Sequence, residues 1–242
     1  MWDSSISRAT ASRYSRKVRC CNGGNAVEPA YSLEIPQNLG EACNRQRTAL
    51  LVYDMQVGII RQMKNGPEIV AQVKRVLEAS RAAGLRVFFM RHMSLPKETA
   101  GVFQLRQAMA WQKVKTVAEV TPWFLRDSPG FQLVPDLNPL PTEVVFDKIT
   151  MSAFEGTPLD IALRDCGINS FIIAGVATEI GIEPTIRHGS DLGYIPIMVT
   201  DACGAGHADA GDRALASIAF IGDAILTDVR TIQTVLGRMT NG

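Results

Sequence analysis

The sequence predicts an α/β chain built on a parallel sheet, and three observations lead there. Short apolar runs recur at Thr48–Asp54, Arg86–Arg91, Val144–Lys148, Phe171–Gly175, Ile195–Val199 and Ala224–Leu226. Runs of that length, without strict apolar/polar alternation, suit strands buried on both faces. Between most of them lie segments of helical periodicity, closed at Gly84, Gly167 and Gly193. Strands alternating with helices imply parallel strands joined by crossovers, with helices on both faces. The expected architecture is a three-layer α/β/α sandwich around a mostly parallel six-stranded sheet.

The helices follow from their stripes and caps. Pro67–Ala83 places Ile69, Val70, Val73, Val76 and Leu77 on one face. Pro158–Cys166 is short and stops before Gly167. Ile182–Leu192 carries Pro184 near its start, where proline is tolerated. Ala208–Ile221 follows the fifth strand, and Val229–Arg238 closes the chain. One long segment, 92–141, breaks the alternation. It holds Phe103, Trp111, Trp123, Phe124 and Phe131 with several prolines. An insertion of this length is a lid or a packed elaboration, and its aromatics either line a pocket or anchor it to the body.

Residues 1–45 differ in composition from the remainder, which sets 46–242 apart as the folded domain. Their first half is basic and lacks periodicity, so a flexible extension is expected; a transit peptide would share that composition. The net charge of +1 gives no reason to expect nucleic acid or an anionic membrane as partner. No apolar run approaches the roughly 20 residues that span a bilayer. The five cysteines are Cys20, Cys21, Cys43, Cys166 and Cys203. They lack metal-type spacing, and their scatter points to a reducing compartment, hence the cytoplasm. No cofactor motif of the GxxxxGK type occurs, and neither cofactor nor metal is expected.

Three strand ends carry the chemistry: Asp54 after the first strand, Lys148 after the third, and the turn Gly175-Val-Ala-Thr-Glu-Ile-Gly181 after the fourth. A parallel sheet brings all three to its carboxyl edge. A carboxylate beside an ammonium can exchange a proton with a substrate. The N–H groups of a turn that opens a helix favour developing negative charge. Singly, an Asp there is often a cap and a Lys is usually solvated; their coincidence at one edge gives them weight.

The motifs resemble a known family. Tyr53-Asp54-Met55-Gln56, Asp147-Lys148 followed by Ser152-Ala-Phe154 and Gly156-Thr-Pro-Leu-Asp160, and Gly175-Val-Ala-Thr-Glu179 look like the isochorismatase-like hydrolases, over about residues 46–238. The resemblance implies a doubly wound, Rossmann-like sheet of order 3-2-1-4-5-6 and a homodimer or homotetramer acting on a small molecule. It also implies a cis peptide between Val176 and Ala177 that turns backbone N–H groups toward a substrate. Most members are cysteine hydrolases, and the position matching their nucleophile is Gly181. The resemblance then leaves Asp54 as acid or base and Lys148 as its partner, with Gly181 in the catalytic turn. Gln56, Phe154, Val176 and Ala177 are expected at the substrate by the same resemblance.

Other candidates come from placement. His92 and Arg91 end the second strand, where they can meet a substrate carboxylate; Trp111 belongs to the insertion's aromatics. Glu179 and Glu183 flank Gly181, either as a base in the space of the missing thiol or as carboxylates favoured at a helix start. His188 lies mid-helix, and His207 with Asp201 and Asp209 is a weak metal cluster. Three readings remain open. One is a non-covalent hydrolase of a small polar substrate. Another is an amidohydrolase of amides or ureides that has lost its thiol, in which Gly181→Cys should restore thiol chemistry. The last is a non-catalytic binding relative.

Overall fold

The computed structural model describes residues 28–240. The chain forms two compact units, Met1–Gln37 and Asn38–Gly242. Within the first, Glu28–Ala30 and Leu33–Ile35 pair as an antiparallel hairpin, turned at Tyr31 and Ser32 with φ of 52° and 69°. The basic stretch and Cys20-Cys21 lie outside the described residues.

The second unit begins earlier than residue 46. Asn38 caps a single helical turn, Leu39–Ala42, by accepting from the Glu41 N–H at 3.1 Å. Ala42 and Cys43 are buried in the core behind it. The Ala42 carbonyl accepts from Ser170 Oγ at 3.0 Å, and Ser170 Oγ lies 2.7 Å from Thr48 Oγ1. These polar contacts tie the lead-in segment to the starts of two central strands, a link with no periodicity to betray it.

The sheet consists of β1 (Thr48–Tyr53), β2 (Arg86–His92), β3 (Val144–Lys148), β4 (Ser170–Val176), β5 (Ile195–Gly204) and β6 (Ile225–Thr227). Its order is β3-β2-β1-β4-β5-β6 and every neighbouring pair is parallel. The order reverses beside β1, so the carboxyl ends of β1 and β4 flank the switch point. Both strands are buried along their whole length, as their apolar runs require. β5 runs past Val199 to Gly204. The register shifts between Ile173 and Gly175, which lets β4 pair onward with Cys203 and Gly204. Thr200 and Asp201 interrupt the apolar run there, so its continuation is not visible in the pattern.

The helices are α1 (Gly66–Ala82), α2 (Val102–Gln112), α3 (Leu159–Asp165), α4 (Glu183–Asp191), α5 (Ala208–Ile221) and α6 (Val229–Met239). α1 and α6 share one apolar layer with Leu50, Val52, Ile172 and Val199. α3, α4 and α5 bury Leu163, Ile186 and Ile218 against Leu51, Phe88, Ile173 and Met198 on the opposite face. The sheet therefore has helices on both sides, as a three-layer sandwich demands. In the insertion, α2 has no buried residue. Its apolar side chains do not form one core-facing stripe, which is why periodicity does not announce it. No helix of the described residues is long and apolar enough to cross a membrane.

Candidate active site

Asp54 is the first residue beyond β1 and adopts φ 47°, a left-handed conformation that is uncommon for a residue with a Cβ. Its amide donates to Met90 O at 3.1 Å, which holds it against β2. Lys148, the last residue of β3, donates from Nζ to Asp54 Oδ2 at 2.8 Å and to Thr150 O at 3.2 Å. The Lys148 side chain has no exposure and that of Asp54 only 9%. Burial pushes the Asp54 carboxyl up to about 6, with the charge and hydrogen bond of Lys148 restraining the rise. Burial likewise lowers Lys148, and Asp54 opposes that shift. Asp54 Oδ1 is buried and makes no hydrogen bond of good geometry among the described residues, although the His92 backbone amide also helps to hold the carboxyl down.

Tyr53, immediately before Asp54, is wholly buried. Lys148 Nζ sits 4.3 Å from the centroid of its ring, within cation–π range. The Tyr53 hydroxyl donates to Met151 O. Burial, with the Asp54 charge second, raises this phenol well above its ordinary range despite a hydrogen bond with Thr185. Tyr53 therefore stays protonated. Two glycines close on it. A Cβ on Gly175, which has φ 139°, would lie 2.8 and 2.9 Å from Tyr53 C and N and closer still to its O. A Cβ on Gly181 would lie 2.5 and 2.6 Å from Tyr53 Cε1 and Cζ and closer still to the hydroxyl oxygen. A cysteine placed at 181 has no room while Tyr53 keeps its position. Gly181→Cys would therefore require Tyr53 to move.

The turn itself is a π-helical segment, Thr178–Ile182, and the Val176–Ala177 peptide bond is cis. Ala177 O accepts from the N–H groups of Ile180, Gly181 and Ile182 at 3.2, 3.0 and 3.2 Å. The N–H of Gly181 is thus engaged inside the turn. Val176 is part of the core.

Several candidates have other partners. Gln56 is fully buried; its Nε2 donates to His92 O and Phe131 O, and its Oε1 accepts from the His92 N–H. It brackets β2 against the insertion. Phe154 stacks on Tyr194 and meets Phe171 edge-on in the core. Glu179 Oε1 accepts from the His207 N–H at 2.7 Å, while Oε2 is buried without a partner among the described residues. Glu183 pairs with Arg187, and Arg91 with Asp147 at 2.8 Å, so neither faces the Asp54–Lys148 pair unengaged. His188 Nδ1 is 2.9 Å from Ser152 Oγ. Asp201 Oδ1 accepts from the Val229 N–H at the start of α6. Among the described residues no group of three His, Cys, Asp or Glu side chains could hold a metal.

Among the described residues Cys203 pairs beside Gly175 at the start of the turn, but its thiol is not a ready nucleophile. Cys203 lies against Ile173 O at 3.6 Å, and burial pushes its thiol up to about 12. Cys43 is pushed to about 12 as well. Iodoacetamide at pH 7.5 should leave both unalkylated in the folded protein, as mass mapping would show; rapid labelling of Cys203 would place it in the open.

A pocket is lined by His92, the register partner of Lys148, and by Ile149, its chain neighbour; neither Asp54 nor Lys148 is in its wall. Trp111, Trp123, Phe124 and Gln104 from the insertion also line it. Phe124 meets the His92 ring edge-on at 6.1 Å and Trp123 at 6.3 Å. Burial, then the charge of Lys148, pushes His92 down to about 3, so its ring is neutral. Lys97, a cation in the wall, donates to Ala118 O.

Gln104 and Thr185 lie in no sequence motif, and Tyr53 enters its motif only as the residue before Asp54. Thr185 Oγ1 donates to Gly181 O at 2.7 Å and accepts from the Ala153 N–H at 3.0 Å, locking the turn to the loop after β3. The usable signal was a bulky aromatic directly before Asp54 in a chain with glycine at 181.

The isochorismatase domain model matches residues 48–231. The chain belongs to the isochorismatase family. Among curated relatives, the ureidoacrylate amidohydrolase RutB of Serratia proteamaculans is 30% identical over 172 residues, covering 65% of this chain and 69% of that protein. RutB of Pantoea ananatis is 29% identical over 193 residues, covering 74% and 76%. A cysteine hydrolase from Pseudomonas syringae pv. phaseolicola superposes with a TM-score of 0.71 at 26% identity, over 82% of this chain and 96% of the other. An isochorismatase family protein from Burkholderia thailandensis gives 0.65 at 30% identity, over 81% and 97%. The family makes the chain a hydrolase on the α/β fold seen here.

Proposed function

We propose that this hydrolase acts on a small polar substrate through Asp54 and Lys148, without a covalent enzyme intermediate. The observation that carries the reading is the buried pair with one carboxylate oxygen engaged and the other, Oδ1, without a hydrogen bond of good geometry. A buried oxygen left so is costly, and a ligand proton or attacking water at Oδ1 would satisfy it. A carboxyl titrating at about 6 can both take and give a proton near neutrality. The resemblance places the family's nucleophile at 181, which here is glycine.

Two bond types fit. In an amide or ureide, Asp54 takes a proton from water as it attacks the carbonyl carbon, then returns it to the leaving nitrogen. Lys148 stabilises the negative oxygen between those steps. The amidohydrolase names of the relatives favour this class. In an enol ether, Asp54 instead protonates carbon, water adds to the oxocarbenium and returns a proton to Asp54, and the hemiketal collapses to release the alcohol and a carbonyl. The pocket wall carries Trp111, Trp123 and Phe124 beside a neutral His92, with Lys97 and several glutamines, which favours a flat group with polar edges. Exposed Val102 and Phe103 on α2 offer apolar surface for a homodimer or homotetramer, and the free Cys43, Cys166 and Cys203 suit a cytoplasmic setting.

The test is product analysis on a panel of small amides, ureides and enol ethers, with wild type and Asp54→Asn in parallel. Turnover confined to wild type is expected. Ligand-induced stabilisation with no product from any class would instead make the chain a binding relative.

A further inference from the structure

We propose that Tyr53 is a positioning residue of the Asp54–Lys148 pair, and that Tyr53 and Gly181 form one structural unit in which the glycine makes room for the ring. The proposal rests on the reading of Asp54 and Lys148 as the reactive pair, but its geometry stands apart from any substrate. Three contacts carry it. The ring face lies 4.3 Å from the Lys148 ammonium, on the residue next to the carboxylate that this ammonium binds. The hydroxyl is fastened to Met151 O, three residues beyond Lys148, so one side chain fixes both the cation and the loop that follows it. The ring edge and hydroxyl fill the place that the first carbon of any side chain at 181 would need.

The ring has no easy way to yield. It is wholly buried, its hydroxyl is hydrogen-bonded, and Gly175 is packed against its backbone. A methyl group at 181 would therefore displace Tyr53 as a unit, and overpacking of this kind is destabilising. Moving the ring would withdraw the face that Lys148 rests on and admit water to a carboxylate whose burial is the main cause of its raised titration. Because the phenol stays protonated, its part is to hold Lys148 and the loop, not to attack the substrate.

The experiment uses the full chain and four variants: Tyr53→Phe, Tyr53→Val, Gly181→Ala and the double Tyr53→Val/Gly181→Ala. Thermal unfolding is measured for each, and the Asp54 carboxyl is titrated by carbon-13 NMR in protein labelled at aspartate. Gly181→Ala should lower Tm by about 5 °C or more, and Tyr53→Val should recover part of that loss in the double variant. The Asp54 midpoint should stay near its wild-type value in Tyr53→Phe, which keeps the ring, and fall by about a pH unit in Tyr53→Val. A merely space-filling tyrosine would change Tm and leave that midpoint alone. Additive Tm changes, or an unmoved midpoint in Tyr53→Val, would overturn the proposal. Should Gly181→Ala not fold, a folded double variant supports the unit, and the titrations of the two Tyr53 variants decide the rest. No substrate enters these measurements, so failure of the hydrolase reading would show separately, as absent turnover in a protein whose Asp54 midpoint still depends on Tyr53.

Discussion

Lys148→Met should abolish turnover and destabilise the fold by about 3–5 kcal/mol at neutral pH, because it leaves the Asp54 carboxylate buried without its counter-ion. The loss should depend on pH. The folded-state pKa of Asp54 is raised to about 6. Its titration therefore contributes stability that is full below the ordinary aspartate range and is lost as pH rises through about 6. Lys148 has a lowered folded-state pKa, so its contribution is full above the ordinary lysine range and diminishes as pH falls. At neutral pH both groups are charged against their burial, and the 2.8 Å contact between them is the compensation. With Lys148 gone the Asp54 pKa climbs further. At pH 5 the carboxyl takes up a proton and becomes a neutral group; at pH 8 it cannot do so without a larger free-energy cost. Urea unfolding should thus show a greater loss for Lys148→Met at pH 8 than at pH 5. Equal losses would mean that the carboxylate bears no uncompensated charge. Adding Asp54→Asn to Lys148→Met should recover most of the pH 8 loss, since two uncharged groups replace one stranded ion.

The fold was legible because its strands are buried on both faces, and such strands leave dense apolar runs in any sequence. The pair was legible for a related reason. Asp54 and Lys148 stand where two of those runs stop, and parallel strands bring their ends to one edge. Contacts made through single polar atoms were not legible. Gln56 was a fair candidate for substrate by its neighbours, yet all three of its bonds go to the backbone of His92 and Phe131, which is distant in sequence. Glu183 fits either a base or a helix-start carboxylate in sequence; in space Arg187, four residues on, holds it. Phe154 carried a motif and turned out to pack in the core, because ring stacking with Tyr194 has no one-dimensional signature. What Gly181 does in space has no one-dimensional signature: it leaves the volume that the Tyr53 ring fills.

Asp54→Asn should lower turnover by about 10²–10⁴-fold, the usual contribution of a positioned acid or base, while the protein stays folded. The amide has the carboxylate's shape and its oxygen can still accept from Lys148, but the buried ammonium loses its counter-ion, so some stability is lost with the proton transfer and turnover is compared at equal folded fraction. The pH profile of the wild type then separates the two bond types. If Asp54 acts as an acid on an enol ether, the protonated form is active, and kcat/KM should fall as pH rises through about 6. If Asp54 acts as a base on water attacking an amide or ureide, the ionised form is active, and kcat/KM should fall as pH drops below the same point. One carboxyl with one midpoint gives opposite limbs, because the two reactions begin from opposite protonation states. A limb near pH 6 that persists in Asp54→Asn would assign the titration to another group, and turnover unchanged by the substitution would remove Asp54 from the chemistry altogether. Amide cleavage with activity rising toward pH 7 would align this chain with its amidohydrolase relatives in bond type while departing from the thiol route that the family's nucleophile position implies.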